Sequence, residues 1–345
     1  VSAVVLHDGA IHPGGAVDVV LHAANVLDAD LVVGFSGRDR SWWEQRTPNS
    51  VRILSQRTRP EQLRDVWLSW KWLNLDLEAY DLVFSSGPAT KFYQPYDGQH
   101  HLHYLHHPPL SALWFDGGLF DYIVRTVDRI ETWSIQSIIA NSELTADRME
   151  SHYSMDADAV LPPPVEVDRF DPGAEKTANE VVMVGRLEER KRPRTALEAF
   201  RRLSTQQNPP QLRVLGDGPL KEELESNAPS NVSFEGYVTD ERVAAAVETA
   251  QAGLFLARRE DFGITPVEYL AGGTPVVAVD EPNTNNQITD GVTGALVKPT
   301  PDAVADGVER VLETSWDRNQ IRSAADQYSV AAFETGLQTI LKNVR

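Results

Sequence analysis

The chain has no cysteine and, among its 32 basic residues, only 7 lysines beside 25 arginines. Without thiols it can hold neither a disulfide framework nor a thiolate metal site, which fits a reducing compartment. No apolar stretch approaches the roughly 20 residues that span a bilayer. The N-terminal run Val1 to Leu6 is too short for a signal peptide, lacks a basic flank and soon meets Asp8. A soluble cytoplasmic protein is expected. Positive charge is short overall, with 50 acidic residues giving a net charge of −18. No basic stripe is left to neutralise phosphates, which argues against nucleic acid as a partner. Abundant acid with scarce lysine resembles the surface of salt-adapted, halophilic proteins, whose self-repulsion salt screens.

Against these absences stands an even spread of apolar residues, 41% of 345, enough for two cores of about 150 to 180 residues each. Strand-like runs recur at Ala3–Leu6, Leu31–Phe35, Val51–Leu54, Leu82–Phe84, Leu102–Leu105 and Ser137–Ala140. Helix-length segments lie between them, at Val17–Leu27, Glu61–Leu77 and Leu119–Trp133. Strands alternating with helices predict an α/β fold with a parallel, doubly wound sheet. Three prolines, Pro162-Pro163-Pro164, then stop both helix and strand and mark a linker. The rhythm restarts with Val181–Val184, Leu212–Leu215, Val232–Phe234, Gly253–Leu256 and Pro275–Val279. Two domains follow, 1–164 and 165–328. The tail, 329–345, reads as a helix that either half could receive, with packing back on the first as one placement. Ligands of such sheets sit beyond the carboxyl ends of the strands, so chemistry is sought in the loops that follow.

The most informative stretch runs from Arg258 to Val277. A strand ends near Ala257 and Glu260 follows it into the loop. Gly263 permits close backbone approach, and Pro266 suits the first residue of a helix. Glu260 and Glu268 could accept from sugar hydroxyls and from a ribose diol. The amides between them, at Phe262, Gly263, Ile264 and Thr265, suit an anionic phosphate. A plainer reading makes Thr265 and Glu268 a capping box.

This stretch resembles the E-x7-E region of the retaining glycosyltransferases with the GT-B fold, family 4, also called glycosyl transferases group 1. Four further landmarks follow the order of that family. They are Val184-Gly185-Arg186-Leu187 with Lys191, Gly216-Asp217-Gly218-Pro219, Phe234-Glu235-Gly236-Tyr237-Val238, and Asp290-Gly291-Val292-Thr293-Gly294. The likeness is strong over residues 180 to 315 and weaker before. It implies two Rossmann-like domains facing a central cleft, acceptor side first and donor side second. It also implies transfer of a hexose from a UDP- or GDP-sugar to a glycan, glycolipid or lipid-linked acceptor.

By the resemblance, Arg186 and Lys191 take the donor pyrophosphate, whose charge must be neutralised as the glycosidic bond breaks. Their charge replaces a divalent cation, so neither metal nor cofactor is expected. Glu260 orients the sugar and Glu268 holds the ribose. Gly185, Gly216 and Asp217 form a donor-side loop, and Tyr237 and Val238 flank the base through backbone contacts. Gly14 and Gly15 resemble an early glycine loop that brings helix amides to the phosphates. They lack the G-x-G-x-x-G spacing of a dinucleotide site. Asn286 stands where many relatives carry a glutamate, which leaves the donor sugar open.

Five of the nine histidines cluster at His100, His101, His103, His106 and His107. Strand alternation would put His101, His103 and His107 on one face, so a metal site is weighed as the lesser alternative. Tyr104-Leu105-His106-His107-Pro108 with Trp114 resembles the Y-x-H-x-P of mannosyltransferase-like members, which makes His106 the histidine near the reacting sugar, with His107 the alternative if the register slips by one. Leu110-Ser111-Ala112 occupy the place of a basic residue common in relatives. Asn141-Ser142-Glu143 resembles a polar strand end of the family, though Ser142 also suits an N-cap. Leu63, Val66, Trp67, Trp70, Leu73 and Leu77 have helical spacing, with Trp72 off the stripe. This stripe is expected to be a core face, with peripheral membrane or lipid docking as the alternative. Two rival functions remain: a sugar phosphorylase or nucleotide-sugar epimerase on the same fold, and a non-catalytic nucleotide-sugar binder.

Overall fold

A computed structural model describes residues 2–10, 14–55, 61–107 and 119–343. Pro13, Pro108, Leu110-Ser111-Ala112 and Trp114 lie outside these, as do the terminal Val1 and Arg345. The chain divides into two compact units, Val1–Pro164 with Val330–Arg345, and Val165–Ser329.

The first unit begins with β1 (Ala3–Ala10), α1 (Gly15–Leu27), β2 (Asp30–Ser36), α2 (Arg40–Glu44), β3 (Val51–Ser55) and α3 (Glu61–Leu73). It continues through β4 (Leu82–Ser86), β5 (His100–Leu105), α4 (Leu119–Trp133), β6 (Ser137–Ala140), α5 (Glu143–Tyr153) and the two-residue β7 (Ala159–Val160). Its seven strands are parallel, in the order β3-β2-β1-β4-β5-β6-β7. Val4, Val5 and Leu6 are wholly buried, as a strand covered by helices on both faces requires.

The second unit holds β8 (Thr177–Val184), α6 (Pro193–Leu203), β9 (Gln211–Leu215), α7 (Lys221–Ser226), β10 (Val232–Gly236), α8 (Asp240–Thr249) and β11 (Ala250–Phe255). Then come α9 (Ile264–Ala271), β12 (Val276–Val279), α10 (Thr284–Gln287), β13 (Gly294–Val297), α11 (Pro301–Glu313) and α12 (Arg318–Ala324). Six parallel strands run β10-β9-β8-β11-β12-β13. In each sheet the strand order reverses direction at one place, between β1 and β4 and between β8 and β11. Those two switch points are where an open sheet leaves a crevice at its carboxyl edge.

The last helix, α13 (Val330–Asn343), belongs to the first unit. It packs beside α1, burying Phe333 and Leu337, with the Phe333 ring 6.3 Å from that of Tyr104. Two such buried side chains supply about 1.5–3 kcal/mol each, enough to hold the end of the chain down.

Helix α3 departs from expectation. It ends at Leu73, and three residues of its stripe face outward, Val66, Trp70 and Leu73 being 71%, 57% and 50% exposed, while Trp67 packs on the core and Leu77, beyond the helix, is buried. The buried pair is Leu68 and Trp72. The reason lies in Asp8, whose buried carboxylate accepts from Trp72 Nε1 at 2.8 Å. A buried carboxylate needs donors, and that demand overrides the apolar periodicity. No helix among the described residues is long and apolar enough to cross a membrane.

Candidate functional site

In the second unit, the carboxyl ends of three strands are laced by backbone bonds. Gly185 N donates to Leu215 O at 3.0 Å, Gly216 N to Gly236 O at 2.8 Å, and Leu187 N to Asp217 O at 2.9 Å. A Cβ on Gly216 would lie 1.9 Å from Gly185 O, and its φ is +145°, so only glycine lets the two loops touch. The Tyr269 hydroxyl accepts from Val184 N at 3.0 Å, fixing where β8 stops.

Beyond this edge two loops are stitched together across the switch point. Arg258 N donates to Arg190 O at 2.9 Å, and Arg192 Nη1 to Leu256 O at 3.0 Å. These bonds place Lys191 Nζ 2.6 Å from Glu260 Oε2, with the two side chains 17% and 18% exposed. Arg190 Nη1 stands 3.8 Å from the same oxygen. Arg186 instead points outward, 71% exposed and 3.6 Å from Glu188. A part-buried cation and anion facing one loop edge can each exchange the other for a ligand group of matching charge.

Helix α9 starts at Ile264, with Gly263 as N-cap at φ +80° and no side-chain cap. Pro266 is therefore its third residue, and Thr265 and Glu268 form no capping box, which corrects the plainer reading above. Tight quarters account for it: a Cβ on Gly263 would meet Glu260 Cγ at 3.1 Å and Phe255 Cζ at 3.2 Å. Glu268, fifth in the helix, has Oε1 3.8 Å from Arg169 Nη2. Phe262 is buried against the Tyr328 ring, and its carbonyl accepts from Asn283 Nδ2 and, at 2.9 Å, from Gln287 Nε2. Gln287 also donates to Gly263 O at 3.2 Å. Asn286 is exposed.

Arg169, Asn283 and Gln287 were missed from sequence. The one available signal was the spacing of the two amides, a helical turn apart beside the glutamate position. Asp217 accepts from Gly218 N at 2.6 Å and lies 3.6 Å from Lys221 Nζ. Pro219 precedes α7 by two residues. Tyr237 is 81% exposed, whereas Val238 packs onto the core.

In the first unit Gly14 caps α1 in extended backbone, with open space where its Cβ would be, and Gly15 is the first helical residue. At the switch point the ends of β1, β4 and β5 carry His7, Ser85, Ser86 and His106. His106 Nε2 lies 2.7 Å from Ser86 Oγ, and its backbone carbonyl accepts from Asn141 Nδ2 at 3.2 Å. Burial, then the neighbouring His107 and His7, lowers its pKa from 6.5 to about 3. His7 is pushed down to about 4 by burial, against the opposing bond of Nδ1 to Ser86 O at 3.0 Å. A carbonyl only accepts, so Nδ1 carries the proton and Nε2 the lone pair. That Nε2 and Asn141 Oδ1 are buried without a hydrogen-bond partner among the described residues.

His101 and His103 do share a face, both 2.7 Å from Ser85 Oγ. His107 does not join them, because β5 ends at Leu105 and His107 is exposed beyond it. Among the described residues no group of three metal-capable side chains forms. His103 and His106 line a small cavity of about 30 Å³ together with Lys91, room for about one water. Ser142 is the N-cap of α5, accepting from Thr145 N at 3.1 Å.

Two doubly wound parallel sheets, each with polar groups at its switch point, define the Rossmann-like GT-B class of fold. The chain is similar throughout to Anabaena Alr3699/HepE, solved in complex with UDP, at a TM-score of 0.77 and 17% identity over 99% of this chain and 100% of that one. Residues 164–328 match the model of the family Glycosyl transferases group 1. The alpha-monoglucosyldiacylglycerol synthase of Streptococcus pneumoniae is 25% identical over 222 residues, 59% of this chain and 50% of that protein. A GDP-mannose-dependent alpha-(1-6)-phosphatidylinositol dimannoside mannosyltransferase of Mycobacterium tuberculosis is 27% identical over 48% of this chain and 44% of its own length. The chain thus spans about half the length of the curated relatives it matches. These matches support the glycosyl transferases group 1 family for this chain.

Proposed function

We propose that the protein is a retaining glycosyltransferase of family 4. It would transfer a hexose from a UDP- or GDP-sugar to a glycan, glycolipid or lipid-linked acceptor, without metal or other cofactor. The observation that carries the reading is the pairing of Lys191 with Glu260 at the second unit's switch point, inside the segment that matches the family.

In this reading the second unit holds the donor. Lys191 and Arg186 neutralise the departing diphosphate, Glu260 orients the sugar, and Glu268 accepts from the ribose. The amides from Phe262 to Thr265 meet the phosphates at the start of α9. The first unit supplies His106 to the reacting sugar. The bond from anomeric carbon to phosphate oxygen breaks as the acceptor oxygen attacks the same face, and the departing phosphate takes the acceptor's proton. Exposed Val66, Trp70 and Leu73 on α3, with Lys71 over the Trp70 ring at 5.3 Å, favour a lipid-linked acceptor among the three. An aromatic and apolar face with a cation at its edge suits a lipid surface.

The test is transfer from UDP- and GDP-hexoses to diacylglycerol-type and soluble glycan acceptors, by wild type, Lys191→Ala and Glu260→Ala. Both variants should stay folded by circular dichroism and lose at least about a hundredfold in kcat. Undiminished turnover in either overturns the site. Phosphate consumed in place of an acceptor would mark a phosphorylase, an epimerised donor an epimerase, and binding without turnover a silent binder.

A further inference from the structure

Ser86 lies at the end of β4 with its neighbour β5 on one side and β1 on the other. It is wholly buried, and both of its polar ends are committed to imidazoles. Its carbonyl takes Nδ1 of His7 at 3.0 Å, and its hydroxyl meets Nε2 of His106 at 2.7 Å. His106 otherwise follows the last residue of β5, so the strand does not fix its ring. The main-chain carbonyl there accepts from Asn141 Nδ2 at 3.2 Å. Nδ1 of His106 has no partner among the described residues. We infer that Ser86 is the positioning residue of His106, its hydroxyl occupying Nε2 so that the ring meets substrate only through Nδ1.

The inference rests on the reading of His106 as the histidine facing the reacting sugar, but the bond itself does not. Whichever partner carries the shared proton, one ring nitrogen is occupied and rotation about χ2 is blocked. Loss of the hydroxyl would free the ring to flip and to present either nitrogen. A reacting geometry that depends on one orientation then loses rate while donor binding, made mostly by other groups, changes little. The charged and titratable groups around this ring are Tyr104, whose ring centroid lies 5.0 Å away, His7 from β1, His103 and His107 on either side of β5's end, and Lys91 beside His103. None of them contacts the Ser86 hydroxyl.

The experiment compares wild type with Ser86→Ala, Ser86→Thr and Ser86→Cys in two measurements. Steady-state transfer should show kcat lowered about tenfold to a hundredfold in Ser86→Ala. The donor KM should stay within about threefold, and Ser86→Thr should restore most of kcat because the hydroxyl returns. Imidazole 15N shifts, with the His106 signals identified by their loss in His106→Gln, should move at Nε2 in Ser86→Ala and Ser86→Cys. They should stay near wild type in Ser86→Thr. Wild-type kcat in Ser86→Ala, or His106 shifts untouched by removing the hydroxyl, overturns the inference. If Ser86→Ala fails to fold, Ser86→Cys carries the same two readings at nearly unchanged volume. Should wild type transfer no sugar at all, the proposed function fails, and the 15N arm still decides whether Ser86 holds the ring.

Discussion

At the scale of single residues, the first unit's most demanding feature is a charge pair that no motif announces. Lys91 and Asp128 are 2% and 1% exposed, and Lys91 Nζ bonds to Asp128 Oδ1. The second carboxylate oxygen accepts from the Tyr153 hydroxyl at 2.6 Å, and Nζ lies 3.3 Å from Thr132 Oγ1. A buried pair with its remaining valences satisfied contributes little net stability, but either ion alone is costly. Lys91→Met should therefore lose about 3–5 kcal/mol in urea unfolding. Adding Asp128→Asn to it should recover more than half, because the stranded anion is removed. A Lys91→Met variant within about 1 kcal/mol of wild type would show that water reaches Asp128 after all. Nothing in the sequence marked this pair, since Lys91 and Asp128 stand 37 positions apart and neither belongs to a motif.

At the scale of elements, the strands were legible because buried parallel strands are written as short apolar runs. Ala3–Leu6 and Pro275–Val279 lie where β1 and β12 do. The two-residue β7 was too short to leave a run, and β13, Gly294–Val297, opens on a glycine and an alanine directly after the Asp290–Gly294 turn motif, which hides its apolar residues. The site was legible in the same uneven way. Glu260 and Lys191 could be picked out by their motifs, but their 2.6 Å pairing depends on backbone bonds between loops distant in sequence. The face of α3 was partly misread because one buried acceptor, Asp8, drew Trp72 inward while Val66, Trp70 and Leu73 turned out.

The histidines on the strand ends yield a pH prediction from this level. Burial holds His7 at about 4 and His101 and His106 at about 3, with His103 well below its ordinary value. In the unfolded chain each titrates near 6.5. Between those limits the unfolded state binds more protons than the native state, so stability rises with pH and falls as pH drops below 6.5. The loss is about 1.4 kcal/mol per pH unit for each imidazole until its native pKa is reached. The urea midpoint of the first unit's transition should fall steeply from pH 6.5 to pH 5 and stay nearly level from 7 to 8. A midpoint independent of pH between 5 and 6.5 would contradict the burial of these rings.

At the scale of the whole molecule, 50 acids against 32 bases leave the native surface with a repulsion that does not exist at the same density in the expanded chain. Two effects of added salt then compete. Surface ion pairs such as Arg194 with Glu223 and Arg202 with Asp306 are weakened by salt, but exposed pairs are worth only about 0–1 kcal/mol each. The repulsion acts over longer distances and involves every acid on the surface. It is the term that shrinks most when the Debye length falls from about 10 Å at 0.1 M to about 3 Å at 1 M. Screening of repulsion should win. The Tm is expected to rise between about 0.1 M and 1 M KCl. Chloride is used because sulfate would add its own strengthening of apolar burial. A Tm that falls over this range would mean that the ion-pair networks dominate and that the acidic surplus has no stabilising partner in salt.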